Sequence, residues 1–214
     1  MIPERAKVNL TMPKTRLFDT LHADALFRRI YEESVSEFIW MYSLDPERIH
    51  TPATSTVSKI DIVFLTLKKR ELPPSIIQKI DAKLPKSVRR VYFCSYNEEW
   101  MMVLNYRPEN WDEAPQGGHF YTTPYDFDPW SFELPKSYNL ALMYTELVKC
   151  MVCVTPHKDE SLDELVSRDY QVRQFERQAG FLKSRMEKEI QPKQKIEMNI
   201  QLQGLTKAIS LMKT

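Results

Sequence analysis

Glycine, cysteine and uninterrupted apolar sequence are all scarce in this 214-residue chain. It contains four glycines and three cysteines. So few cysteines do not make a disulfide framework, and we therefore expect a reducing, cytoplasmic compartment. No window holds the roughly 18 uncharged apolar residues that a membrane-spanning helix requires. The N-terminal stretch MIPERAKVNLTMPK carries charges and prolines in place of the apolar segment of a secretory signal.

The sequence also lacks an excess of charge of either sign. There are 30 Lys and Arg residues and 29 Asp and Glu residues, which gives a formal net charge of +1. This balance argues against attraction of nucleic acid by the protein surface as a whole, although it is compatible with a local basic face. We expect no membrane partner and, at most, localised nucleic-acid contact.

Common cofactor and catalytic motifs are absent. No GxxxxGKS/T, GxGxxG or GxSxG stretch occurs, which disfavours ATP binding by this chain. None of the four histidines has a partner at metal-ligand spacing. Cys150 and Cys153 form a lone CxxC pair without the second pair of a structural zinc site, and the default interpretation is two buried thiols. We expect no cofactor, no metal site and no catalytic residue.

The densest apolar run is KIDIVFLTLKKR, Lys59–Arg70, which only Asp61 and Thr66 interrupt before the basic end. Such a run predicts a strand covered on both faces, in the middle of a sheet. A short helix with Ser75 as its predicted N-cap follows, and then a strand over Val88–Tyr96. This order is typical of a right-handed parallel crossover.

The other helices and strands predicted for residues 1–156 are expected to pack against that strand. The predicted fold class is α/β in the broad α+β sense, a mixed sheet of about five strands with flanking helices. The further predicted elements are an extended arm over residues 1–15, helix over Leu17–Ser34, strands over Glu37–Leu44 and Trp100–Arg107, an edge strand over Gly118–Thr123 and a helix over Tyr138–Val154. The turn Asn97-Glu98-Glu99 predicts that Val88–Tyr96 and Trp100–Arg107 form a hairpin. The aromatic segment Trp111–Trp130 either covers the edge of the core or stacks on bases.

Residues 157–214 form a second predicted region, rich in Lys, Arg, Glu and Gln and free of Trp. Apolar residues recur there at steps of three, four and seven, which predicts helices that pack along a narrow seam. Pro192 would cost about 3 kcal/mol in a helix interior, so we expect either a kinked coiled coil or a helical hairpin bend near Ile190–Lys193. The seam residues expected to bind a protein partner or a second copy are Val172, Phe175, Ala179, Leu182, Met186, Leu202, Leu205 and Ile209.

A resemblance covers nearly the whole chain. The segments that carry it are EFIWMYSLDPERIH, VSKIDIVFLTLKKRELPPSIIQKIDAKLPKSVRRVYFC, EEWMMVLNYR, GHFYTTPY and KEIQPKQKIEMNIQLQGL. Their hydrophobic spacing and turns resemble an uncharacterised prokaryotic family of small proteins, catalogued as a domain of unknown function and often encoded beside helicase and DNA-methyltransferase genes in restriction-like anti-phage loci. The resemblance implies no established activity. It implies a role in a nucleic-acid-processing assembly, with a helicase or methyltransferase component as partner.

Two function classes remain open. The first is a non-catalytic interaction or accessory subunit of such a defence assembly, which associates through its helical tail. The second is a divergent metal-dependent nuclease or nucleic-acid-binding effector, in which Asp61 converges with Glu98 or Glu99 on a divalent ion. Otherwise Asp61 points to solvent or pairs with Lys59 or Lys83. The basic residues expected to contact nucleic acid are Lys68, Lys69, Arg70, Arg173, Arg177 and Lys183.

Overall fold

The structure is a computed structural model that describes residues 2–108 and 118–213. The chain divides into two compact units, Met1–Met151 and Val152–Thr214. The first contains a β-sheet with helices, and the second contains two long helices. This architecture confirms the predicted α+β fold class. Of the helices that the structure describes, none is both long enough and apolar enough to cross a bilayer.

In the part of the chain that the structure describes, the sheet of the first unit has six strands in sequence order. They are β1 (Lys7–Thr11), β2 (Val35–Leu44), β3 (Lys59–Leu67), β4 (Val88–Tyr96), β5 (Glu99–Tyr106) and β6 (His119–Thr122). Strands β3 and β4 are parallel, as the crossover predicts, and the other neighbouring pairs of the sheet are antiparallel. The prediction of about five strands is low by one because both edge segments pair with the sheet.

Strand β3 lies inside the sheet, between β2 and β4. Residues 60–65 are all buried, which confirms the prediction of a strand covered on both faces. Asp61 is buried with them, and its Oδ1 lies 3.3 Å from the Nζ of Lys59. The interpretation in which Asp61 points to solvent is therefore wrong, and the alternative of a pair with Lys59 is confirmed.

Helices of the first unit cover the sheet. They follow a 3-10 turn (Glu4–Ala6) and are α1 (Lys14–Leu21), α2 (Ala25–Ser34), α3 (Pro46–Ile49), α4 (Pro74–Asp81) and α5 (Leu140–Lys149). Apolar residues of α1, α2 and α4 form one core with alternate residues of the strands, such as Val63, Leu65 and Tyr92. Helix α4 begins at Pro74 with Pro73 as N-cap, so the predicted Ser75 cap is wrong. Proline suits the first helical position because its φ is preset.

Aromatic side chains cover the opposite face of the sheet. The ring of Phe93 lies 4.8 Å from that of Phe127 and 5.2 Å from that of Phe132, measured between centroids. Trp130 remains largely exposed, although its ring lies 5.9 Å from that of Phe64. The described part of the aromatic segment therefore covers the core, and Trp111 lies outside the described residues.

The predicted hairpin between β4 and β5 has a two-residue turn. Tyr96 pairs with Glu99, and the intervening Asn97 and Glu98 have φ values of 50° and 67°. Positive φ at both central positions is the geometry that matches the twist of two antiparallel strands. Asparagine tolerates this geometry well, whereas glutamate rarely adopts it.

The second unit is a helical hairpin of α6 (Leu162–Lys188) and α7 (Pro192–Lys213), which pack on each other. Ser161 and Glu164 form a capping box at the start of α6. At the bend, Oε1 of Glu189 accepts hydrogen bonds of 2.9 Å from the backbone N–H groups of Ile190 and Gln191. Of the two alternatives that Pro192 left open, the structure has the hairpin bend.

Candidate functional site

The residues predicted to bind a partner lie buried or half-buried. Val172 and Ala179 of α6 are buried, and Val172 shares a small apolar core with Ile209 of α7. The remaining members of the set are half-buried, namely Phe175, Leu182, Met186, Leu202 and Leu205. Packing of α6 on α7 therefore occupies much of the predicted seam, and a role of these residues in binding a partner stays a prediction.

A second group of apolar side chains in the hairpin is exposed. Phe181 of α6 and Ile196, Ile200 and Leu211 of α7 are between 62% and 69% exposed. The three residues of α7 are separated by about one and three helical turns, and they therefore share a face of that helix. Gly204 follows Ile200 by one turn on the same face. The name Phe181 face is used here for the exposed apolar residues of both helices together with Gly204, which are Phe181 of α6 and Ile196, Ile200, Gly204 and Leu211 of α7.

A groove of about 700 Å³ lies between α6 and α7, and Phe181 and Gly204 are among its lining residues. Leu182, Gly204 and Leu205 supply its small and apolar lining, together with Phe181. A Cβ atom at Gly204 would meet no heavy atom within 4 Å. Space above this glycine is therefore open to a side chain from outside. The polar lining residues are Gln174, Arg177, Gln178 and Gln201.

The charges around Phe181 are positive. Arg177 and Arg185 lie one helical turn before and after it, and Lys188 lies two turns after it. All three are exposed. The other positions three, four or seven residues from Phe181 are uncharged, namely Gln174, Gln178 and Ser184. This part of α6 thus combines an exposed aromatic ring with a local excess of positive charge.

The basic residues predicted to contact nucleic acid are mostly engaged within the protein. Lys68 donates to the carbonyl oxygen of Glu32 at 2.6 Å, and Lys69 lies 3.2 Å from the carboxylate of Glu33. Arg70 pairs with Glu99 at 2.9 Å. In the second unit, Arg173 pairs with Asp169 at 2.7 Å, whereas Arg177 and Lys183 are exposed. Nucleic-acid contact by these residues stays a prediction.

The carboxylates of the nuclease interpretation do not come together. Asp61 is opposite Arg90 near the start of β3 and β4, whereas Glu99 is opposite Tyr96 at the far end of β4. Six residues of β4 separate the two positions, about 20 Å at strand spacing. Of the residues that the structure describes, no group of three or more His, Cys, Asp or Glu side chains is placed to hold a metal ion.

A buried polar network at the end of α4 was not predicted from the sequence. The hydroxyl of Tyr92 donates to Oδ1 of Asp81 at 2.5 Å, and Arg107 donates to the backbone carbonyl of Asp81 at 2.6 Å. Burial raises the pKa of the Asp81 carboxyl, while the positive charge of Arg90 acts in the opposite direction. A charged residue at a helix end looks solvated in sequence, so only the tertiary structure shows this arrangement.

The thiols of the CxxC pair differ from the expectation. Cys150 and Cys153 are exposed, and Cys94 is buried. Helix α5 ends at Lys149, before both residues of the pair. The prediction of two buried thiols is therefore wrong because the predicted helix, which extended to Val154, is too long.

Comparison with known proteins identifies one family. A family model described as Domain of unknown function (DUF4391) matches residues 1–209. No curated protein and no solved structure gives a significant match to the chain.

Proposed function

We propose that this chain, which belongs to the family described as Domain of unknown function (DUF4391), is a non-catalytic accessory subunit that binds a partner protein through its α6–α7 hairpin. The Phe181 face is the observation that carries the proposal, because exposed apolar side chains commonly mark interaction surfaces and Ile196, Ile200 and Leu211 share one face of α7. The partner proposed from the family resemblance is the helicase or methyltransferase component of a restriction-like anti-phage assembly.

The charge of the hairpin favours an acidic partner helix over a second copy of the chain. A symmetric dimer brings the same surface of both copies together. The positive patch of Arg177, Arg185 and Lys188 would then meet the same patch of the second copy, and like charges in an interface are unfavourable. A partner helix with apolar anchors at i, i+3, i+4 and i+7 and with Asp or Glu beside them complements the surface.

The groove supplies a place for one anchor of such a helix. Because Gly204 has no side chain, an incoming Leu or Phe can approach the backbone of α7 and contact Leu182 and Leu205. Buried aromatic and aliphatic anchors of this kind carry most of the binding energy in helix-in-groove complexes.

The test is co-expression of the chain with the helicase and methyltransferase components encoded at the same locus. Phe181→Glu and Ile200→Glu place a negative charge on the Phe181 face, and each is expected to weaken capture of the partner at least ~30-fold, as expected for a hot spot. Leu26→Glu is the matched control, because Leu26 is an exposed apolar residue of α2. Capture of neither component by the wild-type chain, or equal capture by all variants, contradicts the proposal.

Light scattering on the isolated chain tests whether a second copy of the chain, in place of a partner protein, binds the Phe181 face. We expect the mass of a monomer. A wild-type dimer that Phe181→Glu dissociates would assign the face to a second copy instead.

The alternative of a divergent nuclease or nucleic-acid-binding effector has less support. Asp61 and Glu99 are far apart along the sheet, and Lys69 and Arg70 already pair with carboxylates. Magnesium-dependent DNA cleavage by the wild-type chain that is lost in Asp61→Ala would favour this alternative over the accessory role.

A further inference from the structure

A separate opening of about 470 Å³ lies in the sheet unit, at the end where β4 begins and β5 ends. We call it the Arg89 pocket. Its lining residues come from the loop before β3, the end of α4, the start of β4 and the segment after β5, and they are Ser55, Thr56, Ala82, Leu84, Lys86, Ser87, Arg89, Arg107 and Pro108. None of the lining residues that the structure describes is acidic. Three carry a positive charge, in a chain whose formal net charge is +1.

The two arginines of the pocket are held in place by backbone carbonyl groups. Arg89 and Arg107 are 8% and 9% exposed, respectively. Arg89 donates to the carbonyl of Lys86, and its guanidinium group lies 5.5 Å from the centre of the Tyr144 ring. Arg107 donates to the carbonyl groups of Asp81 and Val88 at 2.6 and 3.1 Å. Both guanidinium groups are therefore ordered before any ligand arrives, which reduces the entropy lost on binding.

Burial of two neighbouring cations is unfavourable. Burial lowers the pKa of Arg107, the charge of Asp81 opposes this shift, and the charge of Arg89 adds to it. The Nε of Arg89 is also buried and has no hydrogen-bond partner among the residues that the structure describes. A buried donor without a partner costs free energy. A bound anion would offset the electrostatic penalty, because a guanidinium group donates to an anion with two parallel hydrogen bonds.

Hydroxyl groups extend the donor set. The Oγ atoms of Ser58 and Ser87 lie 2.9 Å apart, and Ser58 also donates to the backbone carbonyl of Ser87 at 3.2 Å, so the Ser87 side chain is held at the pocket. In the loop before β3, Oγ1 of Thr54 accepts a 3.0 Å hydrogen bond from the backbone N–H of Val57. This bond fixes the turn that contains the lining residues Ser55 and Thr56.

We propose that the Arg89 pocket binds a phosphate monoester, with phosphate oxygens on the guanidinium groups of Arg89 and Arg107 and with Lys86 and Ser87 beside them. A phosphate dianion carries two negative charges and three equivalent oxygens, and it therefore suits a site with several cationic donors better than a carboxylate does. The volume of the pocket lies in the range of small-molecule sites, ~300 to 1,000 Å³. The pocket therefore has room for the rest of the molecule that carries the phosphate group. A nucleoside monophosphate and the 5′ end of a nucleic-acid strand share this chemistry.

Isothermal titration calorimetry of the full chain with inorganic phosphate, AMP and adenosine tests the proposal. Phosphate and AMP are expected to compete for one site, and adenosine is expected not to bind. Arg89→Gln should weaken AMP binding at least ~10-fold, since it removes a charge-assisted hydrogen-bond donor. Because Arg89 is buried and its variant can lose the fold, Lys86→Gln provides a second test at an exposed position, with a smaller expected loss.

Lys83→Gln is the matched control for Lys86→Gln. Lys83 is an exposed lysine in the same connection between α4 and β4 but does not line the pocket. Its substitution should leave AMP affinity unchanged. Absence of saturable phosphate and AMP binding by the wild-type chain overturns the proposal, and so does equal affinity of wild type and folded Lys86→Gln and Arg89→Gln variants.

A second experiment distinguishes a free mononucleotide from the 5′ end of a nucleic-acid strand as the ligand. A single-stranded DNA oligonucleotide is compared with and without a 5′-phosphate. Tighter binding of the phosphorylated form than of AMP, with loss in Lys86→Gln, assigns the pocket to a nucleic-acid end. Equal affinity of AMP and the phosphorylated strand assigns it to the mononucleotide. Equal binding of both oligonucleotide forms, unaffected by Arg89→Gln and Lys86→Gln, overturns the proposal.

Discussion

Arg168 binds both carboxylate oxygens of Glu160. Its Nε lies 2.7 Å from Oε1, and its Nη2 lies 2.7 Å from Oε2. The same guanidinium group also donates to the carbonyl groups of Thr155 and Met212. Arg168 therefore links three parts of the second unit: the segment before α6, α6 itself and the last turn of α7.

This ion pair predicts a dependence of stability on pH. Hydrogen bonds from Arg168 lower the pKa of Glu160 from 4.5 to about 2. A lowered folded-state pKa means that the pair stabilises the folded chain above pH 4.5 and loses this contribution as the pH falls toward 2. The free energy of unfolding of wild type and Glu160→Gln is measured by denaturant titration at several pH values. The difference is expected to be largest above pH 5 and to shrink toward pH 2, whereas a constant difference would contradict the prediction.

The β4–β5 turn predicts a stabilising substitution. Glu98 has a φ of 67°, a conformation that a side chain with a Cβ adopts at a cost and that glycine adopts freely. Glu98→Gly is expected to raise the free energy of unfolding by about 1 kcal/mol, less the greater entropy of glycine in the unfolded chain. In thermal unfolding, Asn97→Ala should have the opposite effect, since alanine tolerates positive φ less well than asparagine. A lower melting temperature for Glu98→Gly would refute the interpretation.

Substitution of two glycines in the α6–α7 hairpin is also expected to stabilise the folded chain. Gly180 and Gly204 lie inside α6 and α7, and a Cβ at either position would meet no heavy atom within 4 Å. Alanine is favoured over glycine in a helix interior by about 1 kcal/mol. Gly180→Ala and Gly204→Ala should therefore each raise the melting temperature of the chain, as followed by circular dichroism. A decrease for either variant would show that the added methyl group meets an obstacle.

The three thiols are expected to react in a fixed order. Cys150 is exposed. Partial burial of the sulfur, followed by the hydrogen bond and charge of Asp169, raises the pKa of Cys153 to about 11, which lowers the fraction of reactive thiolate at pH 8. Cys94 is fully buried, and burial raises its pKa as well. Mass spectrometry after iodoacetamide treatment should show modification first at Cys150, then at Cys153, and at Cys94 only in denaturant. Early modification of Cys94 would contradict its burial.

Local sequence signals predicted much of the fold. The apolar run of β3 indicated burial on both faces, and Asn97 indicated the hairpin turn. Pro192 located the interruption between the last two helices, although it did not decide between a kink and a bend. Each of these signals acts within a few residues, through side-chain burial, backbone φ or a missing N–H group.

The buried polar network at Asp81 and the Arg89 pocket could not be predicted from such local signals. Asp81 and Arg107 are 26 residues apart in the chain, and in sequence both look like charges at the solvated end of an element. Arg89 likewise looked like part of a basic strand end, whereas the fold buries it. The exposed apolar positions of α7 were hidden because Ile196 and Ile200 lie among the seam residues in sequence. Only the packing of α6 on α7 separates the two faces.

The strand order of the sheet has a consequence for biosynthesis. Every strand pairs with the strand that precedes or follows it in the chain, so each new strand that leaves the ribosome finds its neighbour already in place. Pairings between segments close in sequence require little loop-closure entropy and favour rapid folding. The nascent sheet can therefore grow from one edge to the other during translation. Each strand edge then stays unpaired only briefly, which limits aggregation through exposed edges.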